Sequence, residues 1–213
     1  LMDSVKAGIV FNLINDRGGA DLNRVQFAKV AWMPELEGKT LGDWCRQKGL
    51  EPTMENGADL VIEAQSNGGA SCVFHAMDEA DVERIMKHPQ TMIASDGRLV
   101  KPGMGHPHPR WYGTFPRVLG RYVREKKTIS LPEAIYKMTR FPAMTMGLED
   151  RGLIREKMKA DITIFDPETI ADKATFEDPH QYPEGITWVI VNGQLSVANG
   201  VFQALKAGQV LRK

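Results

Sequence analysis

The sequence has little of what marks secreted, membrane-spanning or polyanion-binding proteins. It carries two cysteines, Cys45 and Cys72, far apart and in no metal-type spacing. That excludes a disulfide framework and a cysteine-built zinc site, and it suits reduced thiols in a cytoplasmic protein. The 27 Lys+Arg balance 27 Asp+Glu, so the formal net charge is zero and bulk electrostatics offers no pull on nucleic acid. No apolar run approaches the ~20 residues that cross a bilayer, and none has the build of a secretory signal. Internal repeats and low-complexity tracts are also missing. What remains is an ordinary globular composition, 42% hydrophobic and 25% charged over 213 residues, enough for one large domain or two small ones. The first residue is Leu1 rather than Met, and the chain runs straight into helix-like sequence, as though something preceded it.

The chain changes texture part-way. Up to about residue 150 it alternates short apolar runs with amphipathic ones. Residues 2–14 place Val5, Ile9 and Leu13 at helical spacing, and Asn23 to Trp32 reads as a strand. Thr40, with Asp43 three residues on, resembles a capping box for a helix of Leu41 to Gln47. Pro52 sits in the expected first turn of a helix running through Ala64. Ser71 to Ala76 reads as a strand, Asp78 to His88 as an amphipathic helix and Thr91 to Ala94 as a buried strand, together a parallel crossover unit. Phe115 to Lys126 reads as a helix with Pro116 in its first turn, and Ser130 caps a helix through Thr139. A short helix begins at Pro142 and ends at Gly147. Beyond the 148–160 region the sequence turns β-rich: Asp161 to Phe165, Thr187 to Val191 and Leu195 to Ala198, with Asn192-Gly193 and Asn199-Gly200 as hairpin signals. The expected division is therefore 1–150 and 151–213.

The chemistry-bearing stretch is Thr91 to Gly97, with His106-Pro107-His108-Pro109-Arg110 behind it. Ser95-Asp96-Gly97 would lie at a strand's C-terminal end, where the loops of a (β/α) barrel converge on one mouth. A carboxylate there can bind a metal or move a proton. Asp-Gly also makes plain turns, and the triplet alone does not separate the two readings.

The wider pattern does. Ser95-Asp96-Gly97, the His-Pro-His-Pro-Arg loop at 106–110 and Gly113-Thr114-Phe115-Pro116-Arg117-Val118-Leu119-Gly120 resemble the C-terminal half of an N-acyl-D-amino-acid deacylase (D-aminoacylase), a group of the metal-dependent amidohydrolase superfamily. Further matches are Arg151-Gly152-Leu153-Ile154-Arg155-Glu156, Ala160-Asp161 with its β run, Ala174-Thr175-Phe176-Glu177-Asp178-Pro179 and Val191-Asn192-Gly193.

The resemblance implies an α/β fold: the C-terminal part of a (β/α)8 TIM-type barrel over 1–150, then part of a small β-sandwich over 151–213. It implies hydrolysis of N-acyl-D-amino acids to a D-amino acid and a carboxylate, with zinc as cofactor. Asp96 takes the place of the general base/acid and metal-proximal ligand. Arg110 takes that of the guanidinium that grips the substrate carboxylate, a role its bidentate geometry suits. Met77 and Phe74 are candidates for lining the substrate pocket, or equally for core packing. His106 and His108 have ligand-like His-X-His spacing, but the superfamily's ligand pair lies at strand one, so a loop-shaping role is expected of them.

The family's other metal ligands belong on earlier strands, and the five histidines and two cysteines here do not replace them. The chain is then the C-terminal portion of a longer enzyme, inactive alone, whose partner is the missing N-terminal part of the barrel or a self-associated copy. Two other readings stand beside it: a cyclic amidase of the dihydroorotase or hydantoinase kind, and a non-catalytic, self-associating partial domain.

Overall fold

The computed structural model describes residues 2–211, so the expectation about Leu1 lies outside the described residues. The chain groups into two compact units, each assembled from separated segments.

The first unit comprises 1–81, 98–111 and 175–180. Helix α1, Met2–Asp16, is followed by strand β1, Val25–Lys29. Helix α2, Leu41–Gln47, starts at the expected cap: the Thr40 hydroxyl accepts the Asp43 N–H, and the Asp43 carboxylate accepts the Thr40 N–H. Those reciprocal bonds satisfy amides that no helical turn reaches. Helix α3, Met54–Ser66, is capped by Thr53, so Pro52 lies just before the cap and not within the first turn. Strand β2, Ser71–Phe74, pairs antiparallel with β1, Val25 opposite Phe74 and Phe27 opposite Cys72. Their inward residues meet α2 and α3 in a core of Val25, Phe27, Val30, Leu36, Leu41, Trp44 and Leu60. The Phe27 and Trp44 rings meet edge-on at 5.7 Å.

The second unit comprises 82–97, 112–174 and 181–213. Helix α4, Glu79–Lys87, leads into a stretch with no regular structure from Thr91 onward. The strand expected at Thr91 to Ala94 is thus not formed, and β2 pairs antiparallel with β1, so the parallel crossover is replaced by a hairpin-like pair far apart in sequence. The reason is hydrogen bonding: a strand exists by pairing, and the Ile93 N–H is spent on the Lys137 carbonyl instead.

Helix α5, Arg110–Arg117, begins earlier than expected and carries Pro116 inside it. Pro116 has no N–H to close a turn, and the helix widens directly afterwards into a π-helical stretch, Val118–Glu125. Gly120 permits close packing there, since a Cβ would lie 2.6 Å from the Ile170 carbonyl oxygen. Helix α6, Leu131–Met138, is capped by Ser130 as expected, and the short α7, Arg140–Thr145, follows. Met86, Val118, Leu119, Tyr122, Ile129, Ala134 and Ile170 form the unit's core.

A four-stranded antiparallel sheet closes the chain in sequence order: β3 Ile162–Phe165, β4 Ile186–Val191, β5 Gln194–Ala198 and β6 Val201–Phe202. Both Asn-Gly turns adopt positive φ at each position, 47° and 77° at Asn192-Gly193 and 50° and 75° at Asn199-Gly200. That is the twist a tight hairpin requires. Helix and sheet together make the mixed α/β fold the sequence called for.

Candidate active site

Asp96 lies in the irregular stretch of the second unit and is exposed. Two features shape its surroundings. Ser95 accepts the Gly97 N–H through its hydroxyl at 3.0 Å, a side-chain turn wrapped around Asp96. The same hydroxyl meets Thr114 Oγ1 of α5 at 3.1 Å.

Upstream, the stretch is fixed by Lys137, whose side chain is 2% exposed. Its ammonium donates to the Met86 carbonyl at 2.8 Å and the His88 carbonyl at 2.5 Å, with the Glu133 carboxylate 3.7 Å away. These carbonyls end α4, where a cation also complements the helix dipole. The Lys137 carbonyl meanwhile receives the Ile93 N–H at 3.0 Å. One residue therefore holds the segment on both sides of Pro89.

Arg110, Phe74 and Met77 belong to the first unit, so the sequence-predicted residues fall into two groups: Asp96 in one unit, the other three in the other. Arg110 opens α5 and is exposed. Its N–H donates to His108 Nδ1 at 3.0 Å. That contact uses His108 Nδ1 as the acceptor. Phe74 lies under the Arg17 guanidinium, 4.6 Å from ring centroid to Cζ. Phe74 also lines an apolar cavity of about 470 Å3 with Val5, Ile9, Phe27, Trp44 and Cys72. Burial in that wall pushes the Cys72 thiol up to about 11, so it stays protonated at neutral pH. Met77 is 77% exposed.

The histidines converge on a residue that sequence reasoning passed over, Phe176. His75 and His108 present ring edges to its ring at centroid distances of 4.5 and 5.0 Å. Its carbonyl accepts from His106 Nε2 at 2.5 Å and from Gln26 Nε2 at 3.0 Å. Gln26 also donates to the Gly38 carbonyl at 3.0 Å, so both its amide hydrogens are used and its Oε1 accepts from His75 Nε2 at 3.2 Å. His180 Nε2 donates to the Gly105 carbonyl at 3.0 Å. These commitments give His106 and His108 loop-shaping work, as expected. Phe176 lies in the family-matching stretch 174–179, but it sits in an irregular arm whose lack of periodicity gives no sign of the ring's contacts.

Among the described residues no group of three or more His, Cys, Asp or Glu side chains is placed to hold a metal ion. The chain's own donor set therefore does not fit a metal centre by itself. No helix among the described residues is long and apolar enough to cross a membrane.

A model of the amidohydrolase family matches residues 21–197. The chain belongs to the amidohydrolase family. It is 41% identical to a D-aminoacylase of Alcaligenes xylosoxydans xylosoxydans over 180 residues, 84% of this chain and 35% of that protein. It is 37% identical to an N-acyl-D-glutamate deacylase of the same organism over 194 residues, 90% of this chain and 37% of that protein. The chain thus spans about a third of the length of the curated relatives it matches.

Among solved structures, it superposes with a TM-score of 0.79 at 33% identity on a D-aminoacylase that defines a novel subset of amidohydrolases, covering 100% of this chain and 46% of that one. The N-acyl-D-glutamate deacylase of Bordetella bronchiseptica gives 0.75 at 36% identity, covering 90% of this chain and 38% of that one. That enzyme was crystallised with zinc and a phosphonate mimicking the tetrahedral intermediate of its reaction. The resemblance to D-aminoacylases read in the sequence is therefore real, and it extends over most of the amidohydrolase chain.

Proposed function

We propose that this amidohydrolase chain is the C-terminal portion of an N-acyl-D-amino-acid deacylase, residues 1–150 contributing to its barrel and 151–213 to its sandwich. The observation that carries this is the agreement of the relatives: a D-aminoacylase and deacylases of N-acyl-D-glutamate and N-acyl-D-aspartate, at 37–41% identity. The loop carrying Arg110 adds to it, since it places a guanidinium just after two prolines, suited to the carboxylate that every N-acyl amino acid presents and that a hydantoin lacks.

In this reading water attacks the amide carbonyl, and Asp96 takes the proton the water loses. Asp96 then delivers that proton to the amine nitrogen as the C–N bond breaks, leaving a carboxylic acid and a D-amino acid. Arg110 orients the substrate through two parallel hydrogen bonds to its carboxylate. Phe74 and Met77 line the space for its side chain. Zinc is the cofactor proposed for the complete enzyme, with Asp96 as this chain's one ligand and the rest supplied from outside it. The missing barrel portion is then the chain's partner. Placement in the cytoplasm is proposed on the two free thiols, Cys45 and Cys72.

The test is Asp96→Asn in the complete enzyme, assayed on a panel of N-acyl-D-amino acids and cyclic ureides. Turnover of the linear amides falls by about 100-fold or more, the scale of a lost general base, while the circular-dichroism spectrum is unchanged. Wild-type rates in the variant, or preference for ureides in the parent, overturn the reading.

A further inference from the structure

We propose that Phe176 is a positioning residue for Arg110, holding the carboxylate-binding loop from a distant part of the chain. The inference rests on the assignment of Arg110 to the substrate carboxylate, and it concerns residues of one compact unit only.

The geometry runs in three steps. First, Gly105 to His108 is fixed on one side by β1. The His106 N–H donates to the Ala28 carbonyl at 2.7 Å, and Gly105 sits at φ 68°, where a Cβ would lie 2.9 Å from that same oxygen. Second, the segment Thr175–His180 closes over the other side. Phe176 offers its carbonyl to His106 and its ring to His108, while His180 binds the Gly105 carbonyl. Third, the restraint passes onward to Arg110. Pro107 and Pro109 fix φ on both flanks of His108, and His108 accepts the Arg110 N–H. Arg110 therefore starts α5 from a point set by Phe176. The Phe176 ring is itself kept in place by His75 from the end of β2. A bidentate pair is sensitive to such placement, because both parallel hydrogen bonds must be straight at once.

A purely structural role for Phe176 would affect all substrates alike. A positioning role affects only those with a carboxylate for Arg110 to grip. The experiment compares an N-acyl-D-amino acid with its carboxamide analogue in the complete enzyme. In Phe176→Ala the kcat/KM ratio of acid to amide falls about tenfold, with KM for the acid rising and kcat held within about twofold, as expected for lost ground-state binding. Phe176→Tyr, which keeps ring and carbonyl, retains the wild-type ratio. An unchanged ratio in Phe176→Ala, or an equal loss on both substrates, overturns the proposal. Should the alanine variant not fold, Phe176→Leu gives the same comparison with a smaller loss of packing.

Amide hydrogen exchange separates this proposal from the functional one. If the wild-type enzyme hydrolyses no N-acyl-D-amino acid, the deacylase reading fails, and exchange at Arg110 still decides the clasp. Exchange that is faster in Phe176→Ala supports it, and exchange that matches wild type ends it.

Discussion

The segment that carries Asp96 and the segment that carries Arg110 are both irregular, yet they are held in opposite ways. Thr91 to Gly97 is held upstream mainly through Lys137, whose ammonium binds the carbonyls at the end of α4 and whose carbonyl takes the Ile93 N–H, and downstream by the Ser95–Thr114 hydroxyl pair. Gly105 to Arg110 is gripped by many weaker partners: imidazole edges, carbonyls and a strained glycine. The first arrangement places much of its hold in one charged group, whose loss takes the donor from the buried Met86 carbonyl. The second distributes it, so no one contact is indispensable. In the role proposed for it, Arg110 gains from being held by several partners, since a guanidinium that grips a carboxylate must meet two oxygens at once.

The comparison breaks most sharply at Lys137. Lys137→Met keeps the length of the stem and removes the ammonium, taking its hydrogen bond from the Met86 carbonyl and leaving the His88 carbonyl with the Thr91 N–H alone. At about 1.5–3 kcal/mol for each of two hydrogen bonds from a charged group, the loss is roughly 3–6 kcal/mol. It is read as accelerated exchange at the Ile93 amide, while the Arg110 amide keeps its wild-type protection. Equal loss at both amides would show that the segments are held by one network.

The converse change is Gly105→Ala. It puts a Cβ against the Ala28 oxygen and forces a side chain into left-handed backbone, for about 1–3 kcal/mol. Here the Arg110 amide gains exchange and the Ile93 amide does not. Because the second segment has other holds, the expected loss of order is smaller than at Lys137.

Local chemistry was legible in the sequence and long-range pairing was not. The Thr40–Asp43 capping box, the Ser130 cap and both Asn-Gly hairpins form as written, since each depends only on residues a few places apart. Thr91 to Ala94 has the composition of a strand, but composition supplies no partner, and its amide was claimed by a residue more than forty positions away. Lys137 left one trace that was not followed: it falls three residues after the fully buried Ala134, on the apolar face of α6, where a lysine needs a reason. Phe176 falls within a family-matching stretch, but the match says nothing of its contacts, because a clasp made from an irregular arm has no period to read. Asp96 and Arg110 were named from motif alone. The structure adds what holds each of them, which no motif records.

The smallest expected effect lies at Asp43, in the first turn of α2, and it serves as the control for both. Its carboxyl is held below the usual aspartate range, chiefly by the Thr40 backbone N–H, aided by the Thr40 hydroxyl and Arg46 and opposed by burial. A carboxyl whose folded pKa is depressed stabilises the fold above its unfolded value of about 3.9, and that contribution disappears as pH falls through the folded value. Asp43→Asn keeps an acceptor and removes the charge, so it loosens the first turn of α2 at pH 7 by a few tenths of a kcal/mol, the lower end of a capping contribution. The gap to wild type narrows below about pH 4, because the wild-type carboxyl is then being protonated as well. Exchange of the α2 amides across that range reads it directly. At each pH the Ile93 and Arg110 amides of the variant match those of wild type, which separates an ordinary helix cap from the two holds. A gap at α2 that persists undiminished to pH 3 means the asparagine acts through shape and not through charge.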